Sequence, residues 1–260
     1  MPNIRPIFPG VFTMGNLLFG FLAVLSAFDG EALHAAWFVL VAAFLDGLDG
    51  TVARISKASS KIGIELDSLA DLMSFGLAPA MIFYSFKLFE FGKWGFVIGF
   101  IYVMCGAFRL ARFNVQVKSE EKRHFVGLPI PMAGSTLAAY TIFTYQIWGE
   151  MRSNELVITM MVVFSALMVS TVEYEGKPRG FRTFADRVKW LAIFVCSILV
   201  IVEPRLTIFP ICAGYIVFGI GREIYRLFKS GQVARIAQKE IRFRSRIKDE
   251  WKPPDLKFKE

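Results

Sequence analysis

The chain divides into about eight apolar stretches separated by short polar segments. Each stretch is roughly 15 to 22 residues long, close to the ~20 that an α-helix needs to cross the hydrocarbon of a bilayer. The pattern therefore predicts an all-α fold, a polytopic integral membrane helix bundle with about eight transmembrane helices. The expected spans are residues 11–28, 33–53, 68–88, 94–112, 132–149, 155–172, 188–202 and 207–226, of which the seventh is the shortest.

Composition and charge agree with a membrane location. Hydrophobic residues make up 55% of the 260, yet the formal net charge is +8. If the N-terminus is cytoplasmic, 26 of the 30 lysines and arginines fall in inside segments, and only Lys87, Lys93, Arg152 and Arg205 lie outside. Basic residues concentrate in cytoplasmic loops, so the pattern predicts both termini inside (N-in/C-in) in the cell (inner or cytoplasmic) membrane.

The last segment of the chain differs in composition from the rest. We expect a membrane domain over residues 1–228 and a basic cytoplasmic tail over 229–260. From Arg222 onward the chain carries 12 basic and 6 acidic residues, and apolar residues recur among them between 232 and 247. This pattern favours a helix lying on an anionic leaflet. It does not favour nucleic-acid binding, because no recognisable module for that purpose is present.

Four aspartates interrupt the apolar stretches at helical spacing. Asp46 and Asp49 are three residues apart in one stretch, and Asp67 and Asp71 are four apart in the next, so each pair lies on one helix face. Ionisable groups in membrane helices are costly and point to function. Carboxylates without nearby His or Cys predict an all-oxygen site for one or two Mg²⁺ or Mn²⁺ ions. Helix capping is the alternative, but caps do not recur at this spacing inside apolar runs.

Small residues accompany the aspartates on the same helix faces. Gly50 and Ala53 share the face of the first pair, and Gly63 shares the face of the second. With little or no side chain, they leave room for a bulky ligand to approach the backbone. Magnesium sites of this kind usually complete their coordination with substrate phosphates. The pattern therefore predicts a phosphate-bearing ligand.

These residues form a longer pattern with a known counterpart. The spacing D-x2-D-G-x2-A-R-x8-G-x3-D-x3-D is met at every position between Asp46 and Asp71. The chain therefore resembles the CDP-alcohol phosphatidyltransferases over about residues 10–170. The segments 67–79, 108–114 and 127–131 are similar to the branch of that family that uses serine as acceptor.

The resemblance implies a reaction and roles for individual residues. A phosphatidyl group would pass from CDP-diacylglycerol to the hydroxyl of L-serine with release of CMP, in a homodimeric enzyme that holds two Mg²⁺ or Mn²⁺ ions at the cytoplasmic side of the bilayer. It implies that Asp46 and Asp67 touch both ions and Asp49 the first. Asp71 would touch the second ion and act as general base. The residues expected at the donor are Thr13, Asn16, Gly50, Ala53, Arg54, Ser60 and Gly63.

The acceptor site is expected beside the ions. Serine carries a carboxylate, so a basic residue close to the aspartates is needed. Arg109 and Arg112 lie three residues apart on one predicted helix face and are the candidates. Basic residues that merely flank a membrane helix on its cytoplasmic side would look similar. Both interpretations of these arginines stay open on sequence grounds.

Other functions share part of the pattern. The same chemistry could use an archaeal ether-lipid donor (archaetidylserine synthesis), or inositol phosphate or glycerol phosphate as acceptor. A divalent-cation transporter would explain the carboxylates but not the glycines, alanine and arginine at fixed spacing. An intramembrane aspartyl protease would need one facing pair of aspartates, and this chain has two pairs. We therefore expect a phosphatidyltransferase.

Overall fold

Every regular element in the described part of the chain is helical. This confirms the predicted all-α class. The computed structural model describes residues 7–56, 61–118, 127–151, 154–172 and 184–229.

The first helices form the half of the bundle that carries the aspartates. α1 (Ile7–Phe28) and α2 (Ala32–Ser56) are joined by a short turn. α3 (Lys61–Asp71) runs into a π-helical segment (Leu72–Leu77), which continues directly as α4 (Ala78–Phe86). These three pieces form one continuous helical stretch with a local change of winding in its middle.

The remaining elements follow in chain order. A 3-10 turn at Leu88–Phe91 precedes α5 (Lys93–Lys118), and the later helices are α6 (Ile130–Trp148), α7 (Asn154–Val169), α8 (Phe184–Val202) and α9 (Pro204–Lys229). Left-handed glycines end two of the helices. Gly30, with φ 82°, follows α1, and Gly149, with φ 73°, follows α6 and donates its N–H to the Tyr145 carbonyl at 3.0 Å. Glycine is favoured there because a Cβ would strain this backbone conformation.

Five helical stretches are long and apolar enough to cross a membrane. They are residues 10–28, 32–51, 62–86, 93–115 and 204–226. The apolar parts of α7 and α8, residues 155–169 and 190–202, are shorter. Five helical stretches are thus consistent with the predicted membrane helix bundle. The full count of eight and the orientation remain predictions.

α6 occupies the position of the expected span at 132–149 but is less apolar than the five stretches above. Its threonines satisfy their hydroxyls within the helix, because Thr136 donates to the Met132 carbonyl at 2.7 Å and Thr144 to the Tyr140 carbonyl at 3.0 Å. Eleven of its nineteen residues are buried. α6 is therefore surrounded largely by protein.

Small residues allow the helices around the aspartates to approach closely. α1 packs along α2 through buried alanines, among them Ala23, Ala27, Ala35 and Ala42. α1 also contacts α3, the π-helical segment and α4. Close approach of small residues is the usual way in which membrane helices associate. α1 thereby brings the two aspartate-bearing helices together.

The chain divides into two compact units, residues 1–217 and 218–260. The division falls inside α9, whereas the sequence placed the domain boundary after residue 228. The predicted basic tail, 229–260, lies almost wholly outside the described residues and stays a prediction. All residues of the site described below belong to the first unit.

Candidate active site

Three of the four aspartates converge beside α1. Asp46 comes from α2, and Asp67 and Asp71 come from α3, and one carboxylate oxygen of each lies within 4.8 Å of the others. Asp71 is buried, while Asp46 and Asp67 are partly exposed. Three carboxylates at this separation repel one another unless a positive charge lies among them. The arrangement is therefore suited to a cation.

Asp49 lies one turn beyond Asp46 on α2 and is also buried, with 7% of its surface exposed. Thr13 of α1 donates a hydrogen bond to its Oδ2. Among the described residues, no hydrogen-bond partner reaches its buried Oδ1. Buried carboxylate oxygens normally have a partner. This oxygen is thus available as a ligand atom.

Asn16 connects α1 to the carboxylate at the end of α3. Its side-chain Nδ2 donates to Asp71 Oδ1 at 3.1 Å, and its backbone carbonyl accepts from Ser74 Oγ at 2.9 Å. Asn16 is fully buried. The family resemblance had implied that Thr13 and Asn16 bind the donor. The side-chain hydrogen bonds described here go from Thr13 to Asp49 and from Asn16 to Asp71 of the cluster.

The residues present fit a divalent cation. Every candidate ligand atom is a carboxylate oxygen, which is the ligand type that Mg²⁺ and Mn²⁺ prefer. The unpartnered Oδ1 of Asp49 would be satisfied by coordination. Hydrogen bonds from Thr13 and Asn16 hold two of the carboxylates from outside, as supporting residues around metal ligands commonly do.

Arg109 of α5 belongs to the same site. Only 8% of its surface is exposed, and its charge is attracted by Asp71 and Asp46. The guanidinium carbon lies 5.8 Å from the centre of the Phe113 ring, within the range of a cation–π contact. Buried arginines are held by partners of this kind. Arg109 therefore places a fixed positive charge beside the aspartates.

Arg112, one turn further along α5, lies at the end of α7. Its guanidinium donates to the carbonyls of Val169 at 3.1 Å, Met168 at 3.2 Å and Ser170 at 3.4 Å. The last carbonyls of a helix lack donors within the helix, so these bonds cap α7. Gly127 reaches the same place and donates its N–H to the Val172 carbonyl at 2.8 Å. The two candidate acceptor arginines therefore have different surroundings: Arg109 lies beside the aspartates, and Arg112 lies at the end of α7.

The structure describes some of the other residues that are expected to bind the donor. Gly50 faces open space, since a Cβ there would meet no atom within 4 Å. Gly63 lies in the first turn of α3. Ala53 and Arg54 are on the last turns of α2, but their side chains lie outside the described residues, as does the whole of Ser60.

Asn114 was not anticipated as part of the site. It is buried on α5 and its side-chain Nδ2 donates to Ser68 Oγ at 3.0 Å and to Glu65 Oε2 at 3.1 Å, both on α3. Ser68 directly follows Asp67. Asn114 ends the segment 108–114 that supported the family resemblance, so a signal was present in the sequence. Its partners depend on how α3 and α5 pack.

The π-helical segment was also missed. Ala78 donates its N–H to the carbonyl of Met73, five residues back, where an α-helix would use the fourth. The segment follows Asp71 directly, and Ser74, Phe75 and Gly76 within it are buried. The apolar pattern of residues 68–88 does not distinguish α from π winding. Pro79 was the one available signal, because a proline has no N–H to donate.

Comparison with known proteins gives a consistent result. The sequence model of the CDP-alcohol phosphatidyltransferase family matches residues 6–172, a range that includes all four aspartates and Arg109. A CDP-diacylglycerol–serine O-phosphatidyltransferase of Helicobacter pylori is 33% identical over 229 residues, which cover 86% of this chain and 93% of that protein.

Two further relatives have the same or a related name. The Bacillus subtilis protein called CDP-diacylglycerol–serine O-phosphatidyltransferase is 36% identical over 167 residues, covering 64% of this chain and 88% of the relative. An archaetidylserine synthase of Methanothermobacter thermautotrophicus is 34% identical over 168 residues, covering 64% of this chain and 68% of the relative. With its apolar helices and its aspartate cluster, this chain belongs to the CDP-alcohol phosphatidyltransferase family, enzymes that act as transferases in phospholipid synthesis.

Proposed function

We propose that this enzyme is a phosphatidylserine synthase, which transfers the phosphatidyl group of CDP-diacylglycerol to the hydroxyl of L-serine and releases CMP. The observation that carries the proposal is the convergence of Asp46, Asp67 and Asp71, with oxygens within 4.8 Å, beside the buried Arg109. Two of the relatives described above have the name of this activity. The four carboxylates serve a phosphate-bearing donor, and the arginine serves an anionic acceptor.

The four aspartates would hold two divalent cations, which when bound neutralise the pyrophosphate charge as CMP departs. Asp46 and Asp67 would contribute ligands to both ions, Asp49 to the first and Asp71 to the second. Thr13 and Asn16 keep Asp49 and Asp71 oriented through the hydrogen bonds described above. The residues proposed to contact the donor are Thr13, Asn16, Gly50, Ala53, Arg54, Ser60 and Gly63, as the family resemblance implies.

Asp71 acts as the general base. A serine hydroxyl is a weak nucleophile, and a carboxylate within hydrogen-bond reach can accept its proton as it attacks the donor phosphorus. The Asn16 amide occupies one oxygen of Asp71 and so fixes the orientation of the other. Burial of Asp71 keeps bulk water from competing with serine as the nucleophile.

Arg109 binds the carboxylate of serine. It is buried, it lies beside Asp71 and Asp46, and a guanidinium matches a carboxylate with two parallel hydrogen bonds. Serine held there would present its hydroxyl towards Asp71. Arg112 is the weaker candidate for this role, because three of its bonds go to carbonyls at the end of α7.

The proposal extends to the placement of the enzyme. Eight spans with both termini inside put the aspartates at the cytoplasmic side of the cell membrane, where CMP and serine are exchanged with the cytosol. The acyl chains of the donor stay in the bilayer. The tail over 229–260 rests on the anionic leaflet, and two copies of the chain form a homodimer.

An ether-lipid donor is the second candidate. One relative, 34% identical over 168 residues, is named archaetidylserine synthase. The same aspartates would act on the pyrophosphate in either case, since that part of the two donors is shared. The distinction lies in the lipid tails, which the aspartate cluster does not contact.

The test measures CMP release by purified protein. CDP-diacylglycerol and its ether-linked analogue are each offered with L-serine, glycerol 3-phosphate, inositol phosphate or no acceptor, with Mg²⁺ or Mn²⁺ present. We expect serine-dependent CMP release with CDP-diacylglycerol, lost in excess chelator. Turnover with glycerol 3-phosphate or inositol phosphate but not with serine would refute the assignment of the acceptor. Undiminished turnover in chelator would refute the metal centre.

A further inference from the structure

We infer that Tyr102 is a positioning residue for the aspartate cluster, acting through the backbone of the π-helical segment. Tyr102 is on α5 and is fully buried. Its hydroxyl donates to the carbonyl of Phe75 at 3.0 Å. Phe75 lies within the π-helical segment that begins directly after Asp71. The inference rests on the metal centre proposed above.

The Phe75 carbonyl needs this donor because of Pro79. Where α winding resumes in α4, the N–H of residue 79 would bond to the carbonyl four residues back, which is that of Phe75. Pro79 lies in the first turn of α4 and has no N–H. A buried carbonyl without a donor is costly, so the Tyr102 hydroxyl replaces the missing backbone bond from outside the helix.

The π winding determines which way Asp67 and Asp71 point. An α-helix turns by about 100° per residue, so the wider π turn offsets the helix before it from the helix after it by about one residue. Before the segment, α3 presents its two aspartates to the cluster. After it, α4 buries Ile82 and Phe83 in the core. Relaxation of the segment to α winding would rotate one of these faces out of place.

Neighbouring helices enclose the same segment. A Cβ at Gly20 of α1 would lie 2.2 Å from Ser74 Oγ, and a Cβ at Gly134 of α6 would lie 2.7 Å from Phe75 Cα. Ser74 Oγ also donates to the carbonyl of Asn16, whose side chain holds Asp71. The Tyr102 bond is therefore one of several contacts that link this segment to the carboxylate. It is the one that a single substitution removes without changing the packing volume of the ring.

The test uses the full chain in lipid nanodiscs and measures Mn²⁺ binding from the electron paramagnetic resonance signal of the free ion. Tyr102→Phe removes only the hydroxyl, and we expect the Kd for Mn²⁺ to rise about 3- to 10-fold, the usual effect of one hydrogen bond. Tyr140→Phe is the matched control. It is a buried tyrosine on α6 that packs against Phe83 and Phe209, and its Kd should stay at the wild-type value.

A double variant separates positioning from general loss of stability. Pro79→Ala restores an N–H that can serve the Phe75 carbonyl, so Tyr102→Phe should have less than a twofold effect on Mn²⁺ binding in that background. If Tyr102→Phe alone does not fold, recovery of folded, Mn²⁺-binding protein in the double variant supports the inference. Failure of the double variant to recover contradicts it.

The outcomes also separate this inference from the proposed function. Wild-type Mn²⁺ binding together with an unchanged Kd in Tyr102→Phe would overturn the role of Tyr102 and leave the metal centre standing. If Tyr102→Phe raises the Kd for Mn²⁺ by the same factor with and without Pro79→Ala, the role of Tyr102 is likewise overturned and the metal centre still stands. If neither the wild type nor Asp46→Asn binds Mn²⁺, the metal centre itself is wrong and the role of Tyr102 falls with it.

Discussion

Asn16 on α1 donates its side-chain amide to Asp71 at the end of α3, across 3.1 Å and 55 positions of sequence. Both residues are buried, so this hydrogen bond joins two helices inside the bundle. The bond is strong for its type because the acceptor is a carboxylate. It makes the orientation of the proposed base dependent on a helix that contributes no aspartate to the cluster.

Asn16→Ala should therefore weaken metal binding without unfolding the protein. The substitution removes the amide but retains the backbone carbonyl that accepts from Ser74. Loss of a supporting bond to a metal ligand typically costs about 10- to 100-fold in affinity or activity. The measurement is the Mn²⁺ concentration that gives half-maximal CMP release. Leu18→Ala, at a half-exposed site on the same helix, is the control, and an equal shift in both variants would contradict the role of Asn16.

Substitution of the aspartates should separate ligands from the base. Asp46→Asn and Asp67→Asn remove oxygens from the centre of the cluster, and CMP release should fall below detection. Asp71→Asn should lower kcat by about 10² or more while part of the metal site persists. Asp29→Asn, in the exposed turn after α1, should retain wild-type activity. Wild-type turnover in Asp46→Asn or Asp67→Asn would exclude the cluster as the catalytic centre.

The two arginines of α5 should differ in kinetics. Arg109→Ala should raise the KM for serine by about 10- to 100-fold and leave the KM for CDP-diacylglycerol near normal, because a bond to a charged group is worth about 1.5–3 kcal/mol. Arg112→Ala should leave both KM values near wild type. Initial rates over a serine titration distinguish these results. An equal rise in serine KM for both variants would assign the acceptor to both arginines.

Arg112→Ala should instead lower thermal stability. Three carbonyls at the end of α7 lose a donor, and two of these bonds are partly buried. A polar group left without a partner costs about 1–3 kcal/mol when it is fully buried, so the loss should lie towards the lower end of that range. A lowered Tm in nanodiscs, measured without substrates or metal, checks this expectation. Arg205→Ala, on α9 with a long 3.3 Å bond to Gln146, should change the Tm much less.

Gly134→Ala should destabilise the bundle at the π-helical segment. The new Cβ would lie 2.7 Å from the Cα, Cβ and carbonyl oxygen of Phe75, and backbone cannot move aside as a flexible side chain can. Overpacking of this kind costs about 1–3 kcal/mol. Gly99→Ala, where a Cβ would meet nothing within 4 Å, should leave the Tm unchanged or slightly raised. Similar Tm values for the two variants would show that α6 can move away from the segment.

The sequence was sufficient to predict that aspartates from two helices converge. The spacing of Asp46, Asp49, Asp67 and Asp71 follows from helix geometry alone, and three of these carboxylates meet as predicted. It was not sufficient to predict how the site is supported. The bond from Asn16 to Asp71 requires two helices to pack in a particular register, and a local pattern does not encode that register.

The π-helical segment is a second feature that the local sequence pattern did not predict. The segment over residues 72–77 is too short for its apolar pattern to distinguish π winding from α winding, so it reads as ordinary helix. Residues of other helices contact the segment, among them the Tyr102 hydroxyl, which donates to the Phe75 carbonyl. Pro79 marks where a backbone bond is missing, but it does not identify what replaces that bond.

Because α6 is largely enclosed by protein, a count of apolar stretches alone is a poor guide to which side of the membrane each loop faces. Eleven of its nineteen residues are shielded by protein, and its threonines and other polar residues lower its mean hydropathy. A scan for strongly apolar stretches passes over it for that reason. If α6 crosses the bilayer as the sequence predicts, a count of spans that leaves out α6 alone assigns every loop after residue 148 to the wrong side of the membrane.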